Sequence, residues 1–456
     1  MKILLPLIFT ILFTTISFAQ DHSENLSGPF ENVQQVIEEC LMCHEDAGDE
    51  VLQSNHWNWL TSNLTQSVQN EKSPENKFPI NNFCIAIKDD SVACITCHLT
   101  DEQREASFNF NEAGNIDCLV CHEQTGTYVK APVQYSTDTS KIDLLIIAQS
   151  VAKPTSKNCG TCHFSQMGGV LLKNGGMDKS LFNPTEEVDF HMAGLGFGCS
   201  DCHETNKHHI AGGKNTGEDQ VACENCHDAT PHEKELLNKH YSAIACETCH
   251  IPTYAREEAV VTDWDWSKAG EETESSIPNT DEKLFDKALG GIVLSKNVKP
   301  EYFWNNGKMN YYNLGEEIEK SKSLDLNKPE GNISDPNSKI SPFEVLKSKQ
   351  PYDPVNKFLI IPKLYGMDGY WNTFNWVSAS QEGMQELNLK FSGNVDFIET
   401  KMYRPINHLV MSSDNALECT TCHGKGGDHL LNWKALGYPD DPIKRGGRVK
   451  NKLIKE

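Results

Sequence analysis

Apolar residues are scarce in this chain, and it has only one long apolar run. Hydrophobic residues make up 38% of the 456 positions, and the run occupies residues 3–19. Because no second stretch is long and apolar enough to span a bilayer, we expect no transmembrane anchor. Lys2 before the run, with the small residues Ser17 and Ala19 at its end, predicts a secretory signal peptide over residues 1–19. An uncleaved anchor is the alternative.

Positive charge is also in short supply. Lysine and arginine number 41 against 64 acidic residues, which gives a formal net charge of −23. Such a balance repels phosphate backbones and anionic headgroups, so it excludes nucleic acid and anionic lipid as general partners.

Cysteine, by contrast, is abundant and regularly placed. There are 17 cysteines, of which 16 fall in eight Cys-x-x-Cys-His motifs and Cys84 stands apart. This spacing is the attachment signature of c-type haem, with the two thiols bonded to the porphyrin and the adjacent His ligating iron. Zinc sites and disulfides are the alternatives. However, zinc does not require a His directly after every pair, and a bond across two residues would close only a small strained ring. The motifs are Cys40/Cys43/His44, Cys94/Cys97/His98, Cys118/Cys121/His122, Cys159/Cys162/His163, Cys199/Cys202/His203, Cys223/Cys226/His227, Cys246/Cys249/His250 and Cys419/Cys422/His423.

The motif positions predict the organisation of the chain. Haem of this type is attached after export, so we expect a periplasmic protein carrying eight haems. The predicted fold class is mainly α with much irregular structure, a multihaem cytochrome c fold wrapped around a haem stack. A stretch of 168 residues without cysteine separates the seventh and eighth motifs and is rich in aromatics, so we expect it to cover the stack. A solvated C-terminal tail is favoured over one that docks an acidic partner. The predicted segments are a polar lead-in 20–35, a seven-haem region 36–265, a haem-free insert 266–405, the eighth haem 406–440 and a basic tail 441–456.

Counting histidines indicates that the eight irons are not equivalent. Each motif His fills one axial position, and an iron that only transfers electrons is usually capped by a second His or Met. Nine histidines lie outside the motifs; His22 in the lead-in is expected to be free, and adjacent His208 and His209 are unlikely partners for two irons at once. We take His209 of that pair. Seven caps remain for eight irons, with Met192, Met402 and Met411 as alternatives, so one iron is predicted to be open. The predicted caps are His56, His191, His209, His232, His240, His408 and His429.

Several passages resemble the octahaem tetrathionate reductase family of c-type cytochromes, which is related to pentahaem nitrite reductase and hydroxylamine oxidoreductase. The similarity runs from about residue 36 to residue 440. It is carried by the sequences around Asn81–Cys84, Asp117–Lys130, Phe190–Cys199, His240–Tyr254 and Thr262–Lys268.

The resemblance implies a catalytic haem at Cys94 and Cys97, with the amine of Lys130 ligating its iron. That amine must lose its proton, which at pH 7 costs about 4.6 kcal/mol from a pKa near 10.4. Asn81 and Cys84 would line the pocket. Whether His98 also ligates this iron is left open, and the calcium site of the relatives has no local motif here.

The implied activity is reduction of tetrathionate to thiosulfate, fed by a redox partner protein or a quinol-linked cytochrome. Because charge builds up on the substrate, the pocket needs cations, for which Lys401 and Arg404 are candidates. One alternative is a reductase of nitrite or hydroxylamine at the same haem. Another is a non-catalytic electron-transfer cytochrome with every iron capped.

Overall fold

The computed structural model describes residues 22–60, 109–128, 142–164, 176–212, 220–271, 282–319, 323–424 and 429–455. The predicted signal peptide lies outside these residues, as does the second motif. None of the described helices combines the length and apolar character needed to cross a bilayer.

The described helices are short, and most of them carry or flank a motif. One turn is enough to present two cysteines and the following His on one side, so a motif needs no longer helix. Only α1 and α11 reach eleven residues among those described. The helices are α1 Val33–Cys43, α2 Ala47–Leu52, α3 Asn55–Leu60, α4 Leu119–His122, α5 Leu144–Gln149, α6 Ser156–His163, α7 Cys199–Cys202, α8 Glu235–Asn238, α9 Cys246–His250, α10 Tyr370–Thr373, α11 Trp376–Glu386, α12 Cys419–Cys422 and α13 Pro442–Arg445.

Strands dominate the haem-free segment, so the expectation of a mainly α chain is not confirmed. In the described part of the chain, eight strands form one mixed sheet in the order β4-β5-β3-β10-β12-β8, with β6 and β11 also pairing with β10. The strands are β1 Thr205–Asn206, β2 His209–Ile210, β3 Val260–Asp265, β4 Glu282–Asp286, β5 Gly290–Ser295, β6 Glu301–Asn305, β7 Met309–Tyr311, β8 Leu324–Asp325, β9 Asn327–Pro329, β10 Lys339–Asp353, β11 Phe358–Leu359 and β12 Asp396–Pro405.

The long strand β10 organises this sheet. It runs antiparallel to β12 over ten residue pairs and parallel to β3 near its centre. The start of β10 lies next to a haem motif, since the carbonyl oxygen of Ile340 accepts a hydrogen bond from the Thr248 hydroxyl of α9 at 2.8 Å. The sheet is therefore tied directly to the helix of the seventh motif.

The aromatics of the haem-free segment pack largely on one another. The rings of Trp264 and Trp266 stack at 4.6 Å, and those of Tyr370 and Trp376 at 3.9 Å. Such pairs bury large apolar areas and favour defined ring geometries. They form the core between the sheet and α10 and α11.

The C-terminal segment is more than a solvated tail. Arg448 is 4% exposed, lies over the Trp304 ring at 4.9 Å and donates to the carbonyl oxygens of Asp335, at 2.7 Å, and Ser242. These contacts fasten the segment to the sheet and to the loop before the seventh motif. The basic residues around it, such as Lys450 and Lys452, remain exposed.

Candidate functional site

Seven histidine pairs face one another across nearly constant gaps. In each pair one ring belongs to a Cys-x-x-Cys-His motif and the other to a histidine outside the motifs. The ring centroids lie 6.4 Å apart in His22–His44, 6.3 Å in His56–His163, 6.2 Å in His122–His208, 6.1 Å in His191–His227, 6.1 Å in His203–His408, 6.3 Å in His232–His250 and 6.1 Å in His240–His423.

This spacing fits an iron held between two imidazoles. A metal–nitrogen bond of about 2.0 Å on each side, with about 1.1 Å from each nitrogen to its ring centre, requires a centroid separation of about 6.2 Å. Aromatic pairs in direct contact spread over about 4.5–7 Å, whereas these seven separations all lie between 6.1 and 6.4 Å and each pair includes a motif His. The residues present therefore fit bis-histidine haem at the seven described motifs.

Hydrogen bonds fix the ring nitrogens in the orientation that ligation needs. His122 Nδ1 lies 3.0 Å from the carbonyl oxygen of Ala152, and His203 Nδ1 lies 2.8 Å from that of Ala211. A carbonyl can only accept, so Nδ1 carries the proton and leaves Nε2 to bind a metal. Burial lowers the pKa of His56 and, against the contact with Ala152, that of His122, which favours the neutral imidazole.

Two of the histidines bond to carboxylates instead. His208 Nδ1 lies 2.8 Å from Glu50 Oε2, and His423 Nδ1 lies 2.6 Å from Asp441 Oδ1. The His423 ring also stacks on Trp433 at 5.3 Å, with an angle of 14° between the planes. Burial would raise the pKa of Asp441, but donors from Ile443, His423 and the Gly424 amide outweigh it and lower that pKa.

Asp189 joins the segments that carry His191 and His408. Its carboxylate accepts from the backbone amide of Met192, in the π-helical turn of His191, and from that of Leu409, next to His408. Arg256 donates to the carbonyl oxygen of Leu409 at 2.6 Å and also to that of Val188. These buried contacts hold two distal histidines in one framework.

First thiols of neighbouring motifs meet in pairs. Interaction with the Cys40 side chain, and then burial, raises the pKa of the Cys118 thiol. Equivalent contacts join Cys159 with Cys199 and Cys223 with Cys246. The motifs are thus packed edge to edge, as an electron-transferring array requires.

The second cysteines of the motifs are not equivalent, although the sequence predicts the same attachment role for all of them. Among the described motifs four of these residues are exposed and three are partly buried: Cys43, Cys121, Cys202 and Cys226 are the exposed ones, and Cys162, Cys249 and Cys422 the partly buried ones. Burial raises the pKa of the Cys249 thiol to about 11 and that of Cys422 to about 12.

The difference has a physical reason in the packing of the motifs. The contacts between first thiols shield Cys118 and Cys223, whereas Cys121 and Cys226 follow three residues later, beyond those contacts, and stay exposed to solvent. Cys162 is partly buried within α6, and Phe164, the residue that directly follows this helix, is buried. The exposure of Cys121, Cys162 and Cys226 therefore does not show that they bind haem. Their thioether bonds, predicted from the motif spacing, stay a prediction.

The structure corrects two expectations about distal histidines and leaves a third untested. His22, expected to be free, faces His44, because the 3-10 turn His22–Glu24 folds back over the end of α1. Of the adjacent pair, His208 rather than His209 faces a motif His, and the β1–β2 hairpin places His209 in register with Asn206. The Nε2 atom of His429 is buried without a hydrogen-bond partner among the described residues. Because these residues do not include His98, the role of His429 as a cap stays a prediction.

The predicted catalytic residues lie outside the described residues. This holds for Asn81, Cys84, Lys130 and the whole second motif with His98. Their flanks are well anchored: the buried Trp57 donates from Nε1 to the carbonyl oxygen of Phe110 at 2.9 Å, which joins the two ends of the stretch that carries the second motif.

Tyr128 provides a second anchor, two positions before Lys130. Its hydroxyl donates to Asp117 Oδ2 at 2.5 Å, directly before Cys118 of the third motif. Asp117 is itself 5% exposed, so the contact is shielded from water. The contact thus fixes the last described residue before the stretch that carries Lys130.

Arg404 is not a cation available to a substrate. It is 1% exposed and its Nη1 lies 3.2 Å from Glu344 Oε1, on the neighbouring strand of the sheet. The carboxylate neutralises the guanidinium, and both side chains are closed off from solvent. Lys401 lies three residues earlier on β12 and is partly exposed. Met402 packs in the core of the sheet, not over a motif His.

The zinc and disulfide alternatives gain no support. Across the described ranges, no three His, Cys, Asp or Glu side chains converge as ligands of a directly bound ion, and no such cluster marks a calcium site. The described motif cysteines form no disulfides.

Comparisons with known proteins agree with this geometry. A model of bacterial cytochrome c matches residues 261–426, and one of cytochrome c554 and c-prime matches residues 39–123. An octahaem cytochrome c of Shewanella oneidensis is similar over 93% of this chain and 98% of its own, with 39% identity and a TM-score of 0.83. An uncharacterized protein of Archaeoglobus fulgidus is 25% identical over 222 residues, which is 37% of this chain and 73% of that protein.

Proposed function

The chain belongs to the octahaem c-type cytochromes, and from this membership we propose that it is an exported reductase that splits tetrathionate into two thiosulfates at its second haem. Covalently attached haem follows from the family, and the count of eight is that of the Shewanella oneidensis relative. A multihaem cytochrome exchanges electrons with a redox partner or a substrate. When bound, the haems supply one-electron carriers and an iron that accepts an outer ligand.

The seven facing histidine pairs carry the proposal. Every described motif His has a partner ring at the distance that suits axial ligation, so these histidine pairs would hold and cap seven irons, which would then serve electron transfer. The motif Cys94/Cys97/His98 lies outside the described residues, and on the resemblance we assign the catalytic position to it, with the amine of Lys130 as a ligand of its iron. What supports this assignment is that each of the seven other motif histidines already faces a partner ring.

The chemistry assigned to this chain's own residues is thiol exchange. The thiolate of Cys84 attacks the central S–S bond of tetrathionate, which releases one thiosulfate and leaves a thiosulfate sulfur bonded to Cys84. Two electrons then break that bond, release the second thiosulfate and restore the thiolate. Asn81 donates a hydrogen bond to a sulfonate oxygen, and Lys130 binds as the neutral amine.

Export is part of the same proposal. The apolar run in residues 3–19 and the small residues at its end support a signal peptide, and covalent haem attachment after export agrees with it.

Steady-state oxidation of the reduced holoprotein by tetrathionate, nitrite and hydroxylamine tests the activity. We expect tetrathionate to be turned over fastest and two thiosulfates to appear per tetrathionate consumed. Cys84→Ser should abolish this rate and leave the visible spectrum unchanged, since serine keeps the size of the side chain. Faster turnover of nitrite, unaffected by Cys84→Ser, would assign the enzyme to nitrogen chemistry.

The oxidised spectrum separates an enzyme from a carrier. We expect Lys130→Ala to change the spectrum of one haem and to lower the tetrathionate rate by at least tenfold. If the spectrum is entirely that of bis-histidine haem and Lys130→Ala alters neither spectrum nor rate, the protein is a non-catalytic carrier.

A further inference from the structure

The described axial histidines differ in what their outer nitrogens contact. His122 and His203 donate to backbone carbonyls, which are neutral acceptors. His423 donates to Asp441, a carboxylate whose residue is 4% exposed. The other carboxylate contact, between His208 and Glu50, is more accessible, with the side chains 35% and 23% exposed.

We infer that Asp441 lowers the reduction potential of the eighth haem by giving His423 partial imidazolate character. A carboxylate acceptor raises the basicity of a metal-bound imidazole, and a more basic ligand stabilises ferric over ferrous iron. The effect is large at Asp441 because a buried ionic contact is weakly screened. The inference rests on the proposal that His240 and His423 are the axial pair of this haem.

Packing keeps the His423 ring in the orientation that this contact requires. Trp433 covers one face of the ring, and its indole Nε1 donates to the carbonyl oxygen of Cys422 at 2.9 Å. Asp441 is held in turn, because its Oδ2 accepts from the Gly424 amide at 3.2 Å. Trp433 therefore holds the His423 ring, and the Gly424 amide holds the Asp441 carboxylate.

Asp441 also has a structural task, which the test must separate. Its side chain caps α13 by accepting from the Ile443 amide at 2.9 Å. Asparagine serves equally well as a helix N-cap, so Asp441→Asn removes the charge and keeps the cap acceptor. A purely structural role would leave the potential unchanged in this variant.

The experiment is a spectroelectrochemical titration of the holoprotein with the low-spin signals resolved by EPR. For Asp441→Asn we expect one low-spin component to shift to higher potential with the number of low-spin haems unchanged. Asp441→Glu should return that component toward wild type. The matched variant Glu50→Gln should shift a different component, and by less, because Glu50 is better solvated.

Unchanged potentials in Asp441→Asn would overturn the inference, and so would a new high-spin signal in that variant, since that signal would mean a lost ligand rather than a tuned one. The axial pair is tested separately by His240→Ala. If that variant gains no high-spin signal, the proposed pairing is wrong, whatever Asp441→Asn does.

Discussion

The His208 ring faces the His122 ring at 6.2 Å, although 85 intervening residues separate them in sequence. Glu50 holds the outer nitrogen of His208 at 2.8 Å, so three segments of the chain meet at this contact. His209, the next residue, lies in β2 in register with Asn206. The β1–β2 hairpin therefore determines which of the two adjacent histidines faces His122, and composition does not.

This choice gives a matched pair of variants. We expect His208→Ala to convert one low-spin haem to high-spin, because the third motif loses its distal ligand, and His209→Ala to leave the low-spin count unchanged. EPR of the oxidised holoprotein measures both. A high-spin signal in the His209 variant alone would reverse the assignment.

The ion pair of Arg404 and Glu344 predicts a stability effect without a catalytic one. Arg404→Met leaves a buried carboxylate unpaired, and we expect it to destabilise the fold by about 3–5 kcal/mol, seen as a lower urea midpoint. The double variant Arg404→Met/Glu344→Leu should recover most of that loss. Lys357→Met is the control, since its pair with Glu317 is solvent-exposed on both sides and is expected to contribute little to stability. A tetrathionate rate that falls in Arg404→Met at unchanged stability would return Arg404 to the pocket.

Asp353 predicts a dependence of stability on pH. Burial raises its pKa, but hydrogen bonds from Asn356, Ser392 and Val355 outweigh burial and hold the pKa below the usual value. A depressed carboxyl pKa adds stability above the unfolded value of about 3.9 and loses it as pH falls through the folded value. Asp353→Asn should therefore lower the urea midpoint at pH 7 and approach wild type at the acid end. A difference that grows on acidification would contradict this sign.

Arg448 predicts that one basic residue of the C-terminal segment matters for stability while its neighbours do not. Arg448→Ala removes a charged donor from two carbonyl oxygens and the contact with Trp304, so we expect a loss of about 2 kcal/mol or more. Lys450→Ala, at an exposed position, should change stability by less than about 0.5 kcal/mol. Equal midpoints for the two variants would show that the segment is solvated as a whole.

The haem motifs can be predicted from sequence because attachment requires a fixed local spacing. The distal partners cannot be chosen in the same way, since His203 and His408 meet only after the sheet has brought their segments together. Counting predicts seven distal histidines and the described residues hold seven facing pairs, yet the members differ: His22 faces a motif His although it was expected to be free, and His208 does so in place of His209. His429 stays a predicted cap, since the second motif lies outside the described residues. The sequence therefore predicts how many distal histidines there are, but which histidine faces which motif depends on the three-dimensional fold.

The sheet built on β10 could not be predicted from the sequence, and the reason is physical. Pro342 and Pro351 lie within β10, and proline within an apolar run argues against a strand unless the residue sits where no amide donor is needed.

The role of Asp441 cannot be predicted from sequence either, because it lies in a charged stretch, where an acidic residue beside basic ones is typical of solvated surface. Only its distance to His423 distinguishes it.

The position of Trp433, Asp441 and Arg448 after the eighth motif has a consequence for biogenesis. In the proposed export, N-terminus first, the other motifs would reach the attachment machinery before these three residues do. The environment of the eighth haem is thus the last to be completed. A chain terminated shortly after His423 would still mature most of its carriers, but it would deliver one with an unsupported ligand and an altered potential.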